Sequence, residues 1–123
     1  MYCVSYHEQT YWGLDASDMK TDPNSRLQAY IDAARRGATV RVLLDSYRDN
    51  ENLDSPRSNL HTVEYLRALA RMEGLDMDAR RANPTGQRIH NKVVLARIGG
   101  QGWVAAGSLN GSEVSPRVNQ ELE

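Results

Sequence analysis

Leu27-Gln28-Ala29-Tyr30-Ile31-Asp32-Ala33-Ala34-Arg35-Arg36-Gly37-Ala38-Thr39-Val40-Arg41-Val42-Leu43-Leu44-Asp45 is the stretch that decides the fold class. Leu27, Tyr30, Ile31 and Ala34 recur at the i, i+3, i+4, i+7 spacing of one helical face. Gly37 supplies the left-handed stop, since it has no Cβ to clash there. Val40 to Leu44 is a short, nearly continuous apolar run bounded by Gly37 and Asp45, as expected of a buried parallel strand. Just upstream, Asp22 is placed to cap the helix and Pro23 to take its first position.

Working outward, Tyr2 to Tyr6 is rich in β-formers and reads as a first strand, followed by a loop-like stretch from Trp12 to Thr21. Residues 45–58 form a polar loop. A second helix runs from Ser58 or Asn59 to Glu73, burying Val63, Leu66, Leu69 and Ala70, and Gly74 ends it. Leu75, Met77 and Ala79 alternate with Asp76 and Asp78 as in a half-buried strand. Ile89 to Ala96 and Trp103 to Ala106 form two more strands, joined as a hairpin by a turn around Gly99, Gly100 and Gly102. Strand, helix, strand, helix, strand, hairpin is an α/β domain. At 123 residues the chain makes a single domain, residues 1–123, without internal repeat or low-complexity tract.

A formal charge of −1 gives no global attraction to polyanions, so any hold on phosphate has to be local. Between Asp78 and Glu113 there is no acidic residue, while Arg80, Arg81, Arg88, Lys92 and Arg97 all fall there. Read blandly, that run is a solvated face. Cys3 is the only cysteine, which excludes an internal disulfide and a purely cysteine-based zinc site. No apolar run reaches the roughly 20 residues of a membrane span, and Met1 opens onto the first strand without a signal-peptide core; the compartment stays unknown. An opening of this kind is what a piece excised from a longer chain looks like.

On a strand, His90 and Lys92 share one face. An ammonium neutralises a non-bridging phosphate oxygen, and an imidazole attacks phosphorus or shuttles a proton. The chain has thirteen arginines and two lysines, so a lysine here runs against its habit. Gly107-Ser108-Leu109-Asn110 follows the second hairpin strand, and Ser108 and Asn110 offer uncharged donors on a turn of small residues. Alone, that segment is equally a capped strand-to-helix turn. Glu121, accepting from one ring nitrogen of His90, would leave the other free to attack. His7 and His61 have no lysine two residues on and read as structural or solvent-exposed, and no histidine–carboxylate cluster has metal-ligand spacing.

Ile89-His90-Asn91-Lys92, Gly107-Ser108-Leu109-Asn110 and Asn119-Gln120-Glu121 resemble the H-x-K, G-S-x-N and N-x-E elements of the phospholipase D superfamily. Ala33 to Asp45 is similar to a helix-turn-strand that recurs upstream in these proteins. The resemblance implies a phospholipase D-like half domain: a mixed, mostly parallel sheet flanked by helices, with a C-terminal hairpin carrying the motifs. It implies a phosphodiesterase needing no cofactor or metal. His90 is then the nucleophile that becomes a phosphohistidine, Lys92, Ser108 and Asn110 bind the phosphoryl oxygens, and Glu121 orients His90. Two departures stand out. Arg97 occupies the place of the family's aspartate, and the chain has one H-x-K where family sites use two. The partner half would come from a homodimer or from the rest of a parent chain. A phospholipid substrate is taken ahead of DNA or RNA, since nucleic acid calls for a basic excess that the chain lacks. The rival from another class is a non-catalytic half that binds phosphate and completes a partner's site, and Arg97 is its main support.

Overall fold

The computed structural model describes residues 2–7, 24–46, 49, 58–82 and 92–107, the first of these segments as backbone. In chain order they form β1 (Tyr2–His7), α1 (Ser25–Arg35), β2 (Thr39–Asp45), α2 (Asn59–Glu73), β3 (Met77–Ala82), β4 (Val93–Ile98) and β5 (Gln101–Ala106).

Each helix begins where a short polar side chain can take an orphan amide. Asn24 has extended backbone and accepts the Leu27 N–H on Oδ1 at 3.0 Å, so α1 starts at Ser25. The cap expected at Asp22 is thus found two residues on. Asn caps as well as Asp does, and Asp22 and Pro23 lie outside the described residues. α2 begins at Asn59, one of the two expected starts, with Ser58 as its cap, the Oγ accepting the His61 N–H at 2.8 Å. Gly74, at φ 65°, closes that helix in the left-handed region.

The five strands form one sheet in the order β3-β2-β1-β4-β5. β1 pairs in parallel with β2, and β2 with β3; β1 pairs antiparallel with β4, and β4 with β5. The sheet is therefore mixed about its central strand, parallel on one side and antiparallel on the other. Both helical crossovers step in the same direction across the sheet, and right-handed crossovers of that kind lay their helices on one face. A single core results: Leu27, Ile31 and Ala34 of α1 and Val63, Leu66, Leu69 and Ala70 of α2 pack on Val40, Val42, Leu44, Met77 and Ala79. Each fully buried Leu or Ile contributes about 1.5–3 kcal/mol. Tyr30, expected on the buried face of α1, sits partly buried at the rim of this core.

β2 departs from a strand buried on both sides. Val40, Val42 and Leu44 are buried while Thr39, Arg41 and Leu43 are half-buried, because both helices cover the same face. Arg41 on the other face donates to the Val40 carbonyl at 2.9 Å and to the Asp76 carboxylate at 2.8 Å.

The hairpin turn is shorter than the glycine count suggests. Ile98 pairs with Gln101, so Gly99 and Gly100 alone make the turn, at φ 56° and 84°. Two consecutive positive φ angles are what a type I′ turn requires. Two glycines suffice, so Gly102 is a strand residue opposite Arg97, β4 runs on to Ile98 and β5 begins at Gln101. β4 begins at Val93; residues 89–91 of the expected strand lie outside the described residues.

Candidate functional site

The chain leaves β1 toward β2 and β3 on one side and returns to β4 and β5 on the other. In open α/β sheets ligands bind outside the carboxyl ends of the strands at such a reversal. Lys92 sits there. It immediately precedes β4, whose first residue, Val93, pairs with Tyr6 near the carboxyl end of β1. β5 ends opposite the same point, with Ala106 paired to Val93, and the Gly107 N–H donates to the Lys92 carbonyl at 3.2 Å. Gly107, where the G-S-x-N element begins, and the lysine of the H-x-K element, far apart in sequence, are therefore hydrogen-bonded neighbours.

Lys92 is buried, at 6 % exposure. An ammonium out of bulk water costs stability unless it is compensated, which marks a retained lysine as more than a solvated tail. The structure corrects one expectation: Lys92 precedes the strand instead of lying within it, because the β1–β4 ladder closes at Tyr6 and Val93. The strand alternation that would put His90 and Lys92 on one face thus does not reach Lys92. His90, Ser108, Asn110 and Glu121 lie outside the described residues.

The carboxyl edge carries a second feature that the linear sequence does not announce. Asp49 accepts the N–H groups of Asn59 and Leu60 at 2.7 and 2.8 Å and the Arg81 guanidinium at 3.0 Å. Its side chain is 3 % exposed. The Asn59 side-chain amide donates to the carbonyl of the buried Asp45 at 3.0 Å. The positive end of α2 is thus spent on a carboxylate of the chain itself instead of being offered to a ligand anion. The Asp49 contacts lie 10, 11 and 32 residues away in sequence, beyond any local spacing rule.

The basic run between Asp78 and Glu113 is not one patch among its described members. Arg80 pairs with Asp78 at 3.0 Å, Arg81 with Asp49, and Arg97 lies exposed in β4 opposite Tyr2 and Gly102. Five residues of antiparallel strand put Arg97 about 17 Å from Lys92, at the hairpin end. The residue that departs from the family motif is remote from the lysine.

Elsewhere, ion pairs cluster at the amino end of β2 and β3. The Arg35 guanidinium grips both oxygens of Glu73 at 2.7 and 2.8 Å, holding that carboxyl below its ordinary range and raising its own value. The Thr39 hydroxyl and then Arg41 hold Asp76 below its ordinary range. Burial pushes the Asp78 carboxyl up, but hydrogen bonds and charge from Arg80 and Arg67 outweigh it and leave the value lowered. These groups organise the end of the molecule opposite Lys92. No described helix is long and apolar enough to cross a membrane.

Comparison with known proteins agrees with the geometry. The family model described as cardiolipin synthase, PLD-like domain, matches residues 14–123, a range that contains Lys92, Gly107 and the residues after it. No curated protein and no solved structure matches the chain. With a mixed sheet, a C-terminal antiparallel hairpin and this match over most of its length, the chain belongs to the phospholipase D superfamily, whose function is of the phosphodiesterase type.

Proposed function

We propose that the chain provides half of a phosphodiesterase site in which His90 is the nucleophile. The imidazole of His90 attacks phosphorus and forms a P–N bond as the bond from phosphorus to the leaving oxygen breaks. An imidazole from a second H-x-K half, in a homodimer or in a longer chain, gives its proton to that oxygen. Water or an alcohol then attacks phosphorus, the P–N bond breaks, and the second imidazole takes the proton back. Lys92, Ser108 and Asn110 hold the phosphoryl oxygens, and Glu121 orients His90.

The observation that carries this reading is the hydrogen bond from Gly107 to Lys92 at the sheet reversal. His90 is two residues from Lys92, a covalent reach of about 7 Å, and Ser108 directly follows Gly107. The remoteness of Arg97 weakens the non-catalytic reading, whose main support it was.

Phospholipid is the favoured substrate and nucleic acid the second. Arg80 and Arg81, which would serve a polyanion, pair with Asp78 and Asp49, and the net charge of −1 offers no compensating field. The test is turnover on vesicles of anionic phospholipid beside turnover on single- and double-stranded DNA, with His90→Ala as control. Lipid turnover lost in His90→Ala supports the reading. DNA turnover without lipid turnover transfers it to the nuclease class, and unchanged turnover in His90→Ala removes the nucleophile assignment.

A further inference from the structure

We propose that the outer edge of β5 is an interface at which a second copy of this chain adds its own β5, antiparallel, about a two-fold axis at Val104. The inference stands independently of the phosphodiesterase reading.

β3 and β5 end the sheet, and they end it differently. β3 carries Asp78, Arg80 and Arg81 among its six residues, and charges of that kind are how a sheet edge resists pairing with another chain. β5 reads Gln-Gly-Trp-Val-Ala-Ala over residues 101–106, without charge or proline, and pairs with β4 one residue to one, without a bulge. All six of its residues are exposed, Trp103 at 59 % and Val104 at 72 %. Leu95, Ile98, Trp103 and Val104 make this hairpin an exposed apolar patch, the only other large apolar side chain exposed among the described residues being Met72 of α2. Patches of this kind mark interaction sites.

The backbone selects a strand as the occupant. The Gly107 N–H points at the Lys92 carbonyl beside β4, and successive residues of a strand turn their N–H and C=O groups to opposite sides. Trp103 and Ala105 therefore direct theirs at β4, while Gly102, Val104 and Ala106 direct theirs outward, where no described strand pairs with them. A bilayer offers such groups no partner, whereas another strand does. A two-fold axis perpendicular to the sheet at Val104 sets Val104 across from its counterpart and Gly102 across from Ala106 of the second copy. Every outward N–H and C=O of the two edges is then paired. Side chains fit the same register. On one face Val104 meets its counterpart with Leu95 behind each; on the other, Trp103 comes beside Ala105 of the second copy, a large side chain against a small one. Neither edge brings a charge to face its like. Contact between two such edges lies at the low end of specific interfaces, about 1,000 Å² in total, so the dimer is a reversible one. The axis also keeps the two carboxyl edges apart. Gly107 lies three residues from the axis and Lys92 one strand further in, which sets the two Lys92 backbones about 25 Å apart. This contact therefore does not bring two H-x-K elements together, and it leaves each carboxyl edge open to a second half.

Sedimentation velocity of the full 123-residue chain is expected to show a monomer–dimer equilibrium between micromolar and millimolar concentration. Val104→Lys changes an exposed side chain and sets two ammonium groups across from each other at the axis. It should raise the dimer Kd tenfold or more while leaving the unfolding midpoint of the monomer unchanged. Val104→Cys gives the positive readout, because the Cα atoms of a hydrogen-bonded antiparallel pair are about 5.5 Å apart, within reach of a disulfide. Oxidised Val104→Cys should run as a covalent dimer, whereas wild type, whose only cysteine is Cys3, should not. Should Val104→Lys fail to fold, the cross-link still decides. A chain that stays monomeric to millimolar concentration, a Val104→Lys dimer as tight as wild type, or a Val104→Cys chain that does not cross-link overturns the proposal. Binding of a monomeric chain to phospholipid vesicles that is abolished by Val104→Lys also overturns it, and assigns the apolar hairpin to a membrane surface.

Discussion

Asp49→Ala is expected to be among the most damaging single changes outside the apolar core. The carboxylate accepts two backbone N–H groups at the start of α2 and one Arg81 guanidinium, all within 3.0 Å and with the side chain 3 % exposed. Losing the helix-end acceptor costs about 1 kcal/mol. Taking the Asp49 carboxylate from a guanidinium that is only 20 % exposed adds a part of the ~3–5 kcal/mol seen when one partner of a buried ion pair is removed. The sum is about 2–4 kcal/mol, or a fall in Tm of roughly 10–20 °C for a domain of this size. Asp49→Asn keeps an acceptor for the amides but loses the charge, and should fall about midway. Urea and thermal unfolding followed by circular dichroism measure both. A double-mutant cycle with Arg81→Met should return a coupling above about 1 kcal/mol. A loss below about 0.5 kcal/mol in Asp49→Ala would refute the view that this carboxylate fastens the start of α2 to β3.

Three further outcomes follow from the same geometry. Arg97→Asp, which restores the family's residue, should change turnover by less than about threefold, since position 97 is about 17 Å from Lys92; a large gain would mean that the hairpin end acts on the site. Gly100→Ala places a Cβ at φ 84° and should cost about 1–2 kcal/mol by urea unfolding, whereas Gly102→Ala, in extended strand, should cost less. Glu73, Asp76 and Asp78 all have folded values below their ordinary ones. Their contribution to stability is thus complete above about pH 5 and is lost as pH falls through the depressed values, below about pH 4. Tm measured from pH 7 to pH 2.5 should hold down to about pH 5 and then drop; a fall between pH 7 and pH 5 contradicts the assignment.

Local chemistry explains what could be read in the linear chain. The stop at Gly37, the helix start at Asn59 and the Gly74 terminus are each specified within four or five residues, and each is found where expected. Where two residues offer the same chemistry, position slips: Asn24 caps as well as Asp22, and three glycines in four residues leave the limits of the hairpin turn ambiguous. Non-local geometry is silent in one dimension. Nothing near Asp49 points to Arg81. The start of β4 depends on where β1 stops pairing, which no property of residues 89–96 encodes. The motif residues were legible because their types and spacing are chemical; that Lys92 and Gly107 meet at the carboxyl edge of the sheet needed the strand order.

The most direct test of the central claim is a covalent one. The chain is incubated with its partner half and a phosphodiester, quenched during turnover under conditions that preserve phosphoramidates, and mapped by mass spectrometry. A phosphoryl adduct on His90, absent in His90→Ala, is the result expected if His90 is the nucleophile. Sustained turnover with no adduct on His90, in wild type or with slow substrates, would contradict it.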